Sequence, residues 1–307
     1  MTTPASVQDR AKGVVAPALA VRMFRMERYL PRLDLAPFIE HIWIVEWDLR
    51  GQPPFVQRTL PYPSVHVVFD RARSGVFGVV TGAFDYTLQG AGRVCGLKFR
   101  PGAFRAFLGR PLHTISDQVL PLSAVFGWDD AAAVEAAAVD TVLGAPGDAA
   151  MIDAAGMLLR TRLRIELPIA DPQVERIAAI LRTVETTPGL TRVEALAAAA
   201  GLGVRSLQQL FGEYVGVSPK WVIRRFRLHE AADRLAQGGD LDLSALALDL
   251  GYVDQAHFTS DFRRLVGQAP GRYRDDAQAI SAPQPDRTAD SESSPAHSRT
   301  DPSAPPL

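Results

Sequence analysis

Two short runs of polar side chains stand out for what they could touch. The first is Arg205, Ser206, Gln208 and Gln209; the second is Gln255, His257, Thr259 and Ser260, followed by Arg263 and Arg264. An arginine fork fits the two acceptors on the major-groove edge of guanine, a glutamine fits the donor and acceptor of adenine, and hydroxyl groups serve either bases or phosphates. Lys220 and the arginines at 263 and 264 suit phosphate oxygens, which fix position without reading sequence. Residue types alone do not make such a surface, because the same side chains form ordinary solvated helix faces. The element beneath each run decides between the two.

That element occurs twice. Leu196 and Ala197, Gly201, Leu207 and Phe211, Gly216 and Pro219 have counterparts in Leu246 and Ala247, Gly251, Phe258 and Phe262, Gly267 and Pro270. The spacing predicts a short helix, a glycine turn and a second helix in each copy, with Leu207/Phe211 and Phe258/Phe262 at i, i+4 facing the apolar pair of the first helix. Gly201 and Gly251 suit the left-handed conformation that ends a helix and turns the chain. Thr191 with Glu194 reads as a capping box for the first copy. A single connecting helix is expected from Pro219 to about Ala236, stopped by Gly238 and Gly239. Asp171 followed by Pro172 starts a further helix running to about Glu185.

The repeats, with Gly-Val-Ser-Pro-Lys-Trp-Val-Ile-Arg-Arg-Phe-Arg-Leu from Gly216 and Gly251-Tyr-Val-Asp-Gln-Ala-His-Phe into Asp261-Phe-Arg-Arg, resemble the double helix-turn-helix of AraC/XylS-type transcription regulators. Val222 stands where that family usually has an aromatic residue, and Gly212 lies inside the first recognition helix, where glycine costs about 1 kcal/mol relative to alanine. The resemblance implies an effector-controlled regulator that binds double-stranded DNA, with RNA polymerase, an unknown small-molecule effector and a second copy of the chain as further partners. It also implies that Arg227 packs within the domain. Whether the protein activates or represses is not written in these residues.

Charge tests this expectation. Residues 171–275 hold 13 basic and 13 acidic side chains, so the domain lacks the overall positive charge common in DNA-binding modules. The distribution is uneven, however. Residues 205–227 carry five basic groups against Glu213, and residues 263–274 carry four with no acidic one. Arg224 and Arg225 read equally well as phosphate contacts or as a solvated face.

At 307 residues, 47% of them apolar and 22% charged, the chain is long enough for two globular domains. It has no apolar run of about 18 residues and no signal-peptide pattern at its start, which predicts a cytoplasmic protein with no membrane partner. The predicted fold class is α+β: an N-terminal antiparallel β barrel or sandwich with helices and a C-terminal all-α double helix-turn-helix. Residues 1–20 are expected to be disordered, 21–168 to form a β-rich sensor or dimerisation domain, 170–276 the DNA-binding domain, and 277–307, rich in Pro, Ser and Asp, a disordered tail. Strands are expected at residues 41–47, 55–60, 64–69, 76–81, 86–89 and 93–99, from β-branched and aromatic content punctuated by Gly and Pro. Alternation places Val65, Val67 and Phe69 on one face and His66 and Val68 on the other. Helices follow near Phe104, from Asp129 to Leu143 and from Ala149 to Arg164, the last two separated by Gly144-Ala-Pro-Gly147.

Leu60-Pro-Tyr-Pro-Ser-Val-His-Val-Val-Phe69, Gly90 to Phe104 and Val119-Leu-Pro-Leu122 resemble a sensor-type domain found ahead of such DNA-binding domains, in which many members have Leu-Pro-Asp-Gly in place of Leu60-Pro-Tyr-Pro63. Other chemistry finds little support. His41, His66 and His113 lack metal-ligand spacing; Cys95, the one cysteine, reads as a small buried hydrophobe; Ser64 and His66 share a strand face without a nucleophile elbow. No catalytic residue, metal or cofactor is therefore expected. The competing reading is a small-molecule-binding or metal-dependent β-barrel enzyme with a vestigial DNA-binding half. Trp43, Trp47, Phe69, Phe77 and Phe99 either line an apolar pocket or fill an ordinary core.

Overall fold

The computed structural model describes residues 6, 13, 15, 17–128, 131–165, 171–187, 189–237 and 241–281. The chain opens with α1 (Pro17–Met23), then β1 (Arg25–Tyr29), β2 (Ile39–Leu49), β3 (Phe55–Thr59), β4 (His66–Phe69), β5 (Gly75–Phe77), β6 (Phe84–Leu88) and β7 (Gly90–Phe99). After α2 (Arg105–Leu108), a 3-10 turn at Leu112–Ile115 and β8 (Val119–Leu120) come α3 (Ser123–Phe126), α4 (Ala131–Leu143) and α5 (Asp148–Ile165). The C-terminal part is helical throughout: α6 (Pro172–Thr186), α7 (Val193–Ala199), α8 (Val204–Tyr214), α9 (Pro219–Ala236), α10 (Leu243–Asp249), α11 (Gln255–Val266) and α12 (Pro270–Ser281).

Six strands form an antiparallel sheet in the order β1-β2-β7-β4-β5-β8, and β3 pairs with β6 in a separate ribbon. The large sheet ends on β1 and β8 and does not close, so the arrangement is sandwich-like and not a barrel. Alternation along the strands gives the sheet two apolar faces. Ile42 and Ile44, Val67 and Phe69, and Cys95, Leu97 and Phe99 point to one face, where they pack with Phe104, Phe107, Val142 and Ile152 from the helices. Val68 and Val94 point the other way, towards Trp43, Trp47, Phe77, Phe84 and Tyr86. The sides predicted for Val65, Val67 and Phe69 and for His66 and Val68 are the ones observed.

Two separate cores organise the helical part. Ile177, Leu196, Leu207, Phe211, Val222 and Ile223 build the first; Leu228, Leu235, Leu246, Phe258, Phe262 and Tyr273 build the second. The long helix α9 serves both, its first half in one and its second half in the other. Asp171 caps α6 by accepting from the Gln173 amide, with Pro172 in the first turn, and Ser218 caps α9 by accepting from the Trp221 amide ahead of Pro219. Gly201, Gly216, Gly251 and Gly267 all have positive φ, between 63° and 93°.

Several expectations need correcting. The capping box does not form: Arg192 is the residue that precedes α7, and no side chain caps that helix. Thr191 is used elsewhere, pressed so closely on Gly251 that any Cβ there would collide with its methyl group. Within the stretch read as loose, Pro17–Met23 is helical and Ser6 bridges to Tyr29. Strand β1 was not anticipated, and β5 stops at Phe77, short of Thr81. Helix α12 extends past residue 276. The glycines expected to stop the connecting helix (238 and 239), the predicted helix start at Asp129 and the tail from 282 onward lie outside the described residues.

Candidate nucleic-acid interface

Helices α8 and α11 are the second helices of the two repeats, and each turns a polar face outward. Arg205, Ser206, Gln208 and Gln209 are exposed on α8 while Leu207 and Phe211 are fully buried beneath them. On α11, Gln255, His257, Ser260, Arg263 and Arg264 are exposed, Thr259 is half-buried, and Phe258 and Phe262 lie in the core. Lys220 is exposed in the first turn of α9. The structure therefore brings the candidate residues together as two surface patches, one per repeat, each anchored from below by an aromatic or leucine pair.

Two candidates already have partners. The Gln255 side chain accepts from the Ser244 hydroxyl at 2.8 Å, tying the two helices of the second repeat. Arg264 donates to Asp261 at 2.6 Å. Asp261 is almost completely buried and also accepts from Arg224 at 2.5 Å and from the Tyr252 hydroxyl at 3.1 Å. Burial alone would raise its pKa, but the Arg224 guanidinium beside it holds the carboxyl below the ordinary value. Arg224 thus joins α9 to α11 and fixes the second helix of the second repeat against the connector. Helix α11 itself starts on Asp254, whose carboxylate accepts from the His257 amide at 2.7 Å, and negative charge at that end also favours the helix dipole.

The remaining arginines of α9 point inward. Arg227, only 2% exposed, donates to the carbonyls of Val184 and Thr187 at the end of α6 and pairs with Glu230. The packing role implied for Arg227 is the one it has. Arg225, 3% exposed, donates to the Thr81 carbonyl at 2.6 Å and lies over the Trp221 ring, so it is withdrawn from any phosphate. Gly212 has no steric reason to lack a side chain, since an added Cβ would meet only His113 at 3.8 Å.

Sequence reasoning missed how the sheet region grips the helical part. The Trp221 indole donates to the Thr81 carbonyl at 3.2 Å, the Ser116 hydroxyl to the Gly216 carbonyl at 2.6 Å, and His113 Nδ1 lies 3.1 Å from the Gly212 carbonyl. Leu60 is built into the core of the second repeat. Most of these contacts end on backbone carbonyls, which every residue has, and so leave no mark in the sequence. Leu248 and Val253, 63% and 82% exposed, were missed too. They flank a shallow groove with Gln255, Thr259, Ser260 and Arg263, where an apolar contact suits a thymine methyl.

A cavity of about 460 Å³ lies between the large sheet and the β3–β6 ribbon. Trp43, Trp47 and Phe77 line it, whereas Phe69 and Phe99 belong to the core on the other face, so both readings of that aromatic set hold for part of it. At one end Lys98 donates to Glu40 at 2.8 Å, and His41 lies 3.5 Å from the same carboxylate. Burial raises the Glu40 pKa, but His41 and the Lys98 charge more than offset this and hold it at about 2. Burial lowers the pKa of His41, and that of His66 to about 3, so both rings are neutral at ordinary pH. Cys95 is fully buried, as read. Among the described residues, no group of three His, Cys, Asp or Glu side chains is placed to hold a metal, and no helix is long and apolar enough to cross a membrane.

Comparison with known proteins divides the chain in the same way. Residues 27–121 match a domain of unknown function (DUF6597), and residues 196–276 match a helix-turn-helix domain. The HTH-type transcriptional regulator ExsA of Pseudomonas aeruginosa is 35% identical over 75 residues, 24% of this chain and 26% of its own. GlxA of Rhizobium meliloti, also an HTH-type transcriptional regulator, is 36% identical over 100 residues, 32% of this chain and 30% of its own. The chain thus spans about a quarter to a third of the length of these relatives. Among solved structures, ToxT from Vibrio cholerae is 12% identical with a TM-score of 0.32, covering 73% of this chain and 97% of that one. Two repeated units with buried aromatic anchors, outward polar faces and a shared connecting helix make the C-terminal part of this chain a double helix-turn-helix domain of the AraC/XylS type, set behind an N-terminal antiparallel sheet region that matches DUF6597.

Proposed function

We propose that the protein is a sequence-specific transcription regulator that binds double-stranded DNA through α8 and α11 and is controlled by a small molecule through its N-terminal region. The observation that carries this reading is the pair of outward polar faces on two helices whose inner faces form separate cores along one helix, α9. Its 18 residues span about 27 Å at 1.5 Å per residue. With the width of the flanking helices, that approaches the 34 Å or so between successive major grooves on one side of DNA. On this reading Arg205, Gln208 and Gln209 read bases in one groove. Ser206, Lys220, His257, Thr259, Ser260, Arg263 and Arg264 chiefly position the backbone, with Gln255 at the edge of the second groove.

The curated relatives named above are transcription regulators, which supports the assignment and speaks against an enzyme. RNA polymerase, a second copy of the chain and a cytoplasmic location go with it, as does a division into a sensor or dimerisation domain over 21–168 and a DNA-binding domain over 170–276. Selection of bound sequences from a random DNA pool, followed by footprinting of the winner, tests the proposal. A defined motif protected over about two helical turns is expected. A folded protein that enriches no sequence would overturn the reading.

A further inference from the structure

We propose that the cavity between the large sheet and the β3–β6 ribbon binds a flat, largely apolar, uncharged small molecule bearing one hydrogen-bonding group, and that Tyr62 passes its presence to α9. The binding stands on the cavity itself; its consequence for DNA rests on the regulator reading above.

The cavity's 460 Å³ or so falls within the range of small-molecule sites, roughly 300 to 1,000 Å³. Its aromatic wall is built, not incidental. Trp43 and Trp47 on β2 lie opposite Gly96 and Gly92 on β7, and a Cβ at either glycine would collide with the facing indole. Each ring therefore lies flat over bare backbone. Both indole N–H groups are tied down, Trp43 to His66 Nδ1 at 3.2 Å and Trp47 to the Gln89 carbonyl at 3.1 Å. What the two tryptophans offer the cavity is fixed ring surface, which favours a planar partner.

The polar features define the rest of the ligand. Ser64 is buried and lines the cavity, yet its hydroxyl has no hydrogen-bond partner among the described residues; a buried polar group left unpaired in this way favours a ligand that completes it. His66, two residues along, takes the Trp43 proton at Nδ1, so in its neutral form Nε2 carries the hydrogen. The Lys98 and Glu40 charges face each other. The other charges lining the cavity are also mixed in sign, Arg28 and Arg73 against Asp70, so an ion entering would lose its hydration and meet like as well as opposite charge, which disfavours a charged ligand.

Tyr62 also lines the cavity and leaves it on the far side. Its ring stacks on His229 with centroids 4.1 Å apart, meets Phe226 edge-on at 6.0 Å, and carries the Lys98 ammonium 4.6 Å above its centre. His229 and Phe226 belong to α9, the helix both repeats share. A ligand that moves Tyr62 therefore acts on the element that sets the two reading helices against each other.

The full-length protein would be titrated with N-phenyl-1-naphthylamine, a neutral two-ring probe, following its fluorescence and the quenching of the tryptophans. Saturable binding of one probe per chain is expected, with 8-anilinonaphthalene-1-sulfonate, similar in shape but anionic, about tenfold weaker or worse. Val68→Trp, which fills the cavity from β4, should weaken the neutral probe by about tenfold; Val94→Phe serves if circular dichroism shows that Val68→Trp does not fold. Absence of saturable binding, equal binding by the filled variant, or equal binding of the sulfonate would each overturn the site as described. For the coupling, the probe should change affinity for the selected DNA by roughly threefold or more, and DNA should change probe affinity by the same factor. His229→Ala, which removes the stacking partner of Tyr62 on α9 and lies outside the cavity lining, should bind the probe but abolish that response. Bound probe with unaltered DNA affinity would overturn the role of Tyr62 and leave the regulator reading intact, whereas a protein that selects no DNA would sink the regulator reading and leave the cavity to be judged by titration.

Discussion

Arg205 and Arg225 show how the same side chain takes opposite roles within one domain. Arg205 is exposed on the outer face of α8 with Gln208 and Gln209, whereas Arg225 is buried against the Thr81 carbonyl. Replacing Arg205 or Gln208 with Ala should therefore relax base preference at one or two positions, by about 1 to 3 kcal/mol of discrimination each, without lowering the unfolding midpoint. Selected-site profiles that match the wild type would remove these residues from base readout. This difference was not legible in sequence, where Arg224 and Arg225 read as equivalent, because it depends on which side of α9 meets a loop more than 140 positions earlier. His66 yields a second expectation. Buried and neutral in the fold, with a pKa of about 3, it takes a proton near pH 6.5 once unfolded. Between those values the unfolded chain binds more protons, so stability falls as pH drops through that window, by up to about 1.4 kcal/mol per unit. His41, lowered by burial in the same way, adds to the decline, while Lys98 and Arg28 nearby disfavour the protonated ring. His66→Gln should flatten the decline in urea unfolding between pH 7 and pH 5; an equally steep loss would trace the acid sensitivity to other groups.

At the scale of elements, α9 is the part on which both units depend. Val222 and Ile223 lie in the first core and Leu228, Ala231, Ala232 and Leu235 in the second, so the changeover falls at Arg227. Two alanines inserted between Arg227 and Leu228 would turn the second unit by about 200° relative to the first, at 100° per residue, while keeping each half of the helix with its own core. Such a protein should keep its helical circular dichroism but lose the Arg224–Asp261 contact, and its affinity for the natural site should approach that of a single unit. Near-normal binding would mean that only one unit engages DNA. The same insertion after Ala231 would instead separate Leu228 from Leu235 and unfold the second core. These helices were readable in advance because their apolar residues recur at helical spacing and their turns need glycine at positive φ. Strand β1, Arg25-Met-Glu-Arg-Tyr29, was not, since Arg25 pairs with Asp148 on one side and Arg28 faces the cavity on the other. With charged residues directed to both faces, it has no polar and apolar alternation to read.

At the scale of the whole molecule, the sheet region braces both repeats at once. It holds the first through Ser116 on Gly216, His113 beside Gly212 and Thr81 beneath Trp221 and Arg225. It holds the second through Leu60 in its core and Arg58, which lies so close to Gly267 that a Cβ there would collide with it. Arg205, Gln208 and Gln209 are exposed and take part in none of these brace contacts, so the surface assigned to base reading does not depend on them. A fragment of residues 171–281 should thus fold, since each repeat has its own core, and select the same sequence as the full chain. It should also be less stable, because Arg225 loses its carbonyl partners and Val79 no longer covers the first core. Its affinity should be lower as well, because two units no longer held in one register must be ordered on DNA at the expense of binding. Urea unfolding and binding-site selection on fragment and full chain side by side would measure both effects. A fragment that is folded yet indifferent to sequence would show that the sheet region supplies part of the reading surface, and that recognition cannot be separated from the brace that holds it.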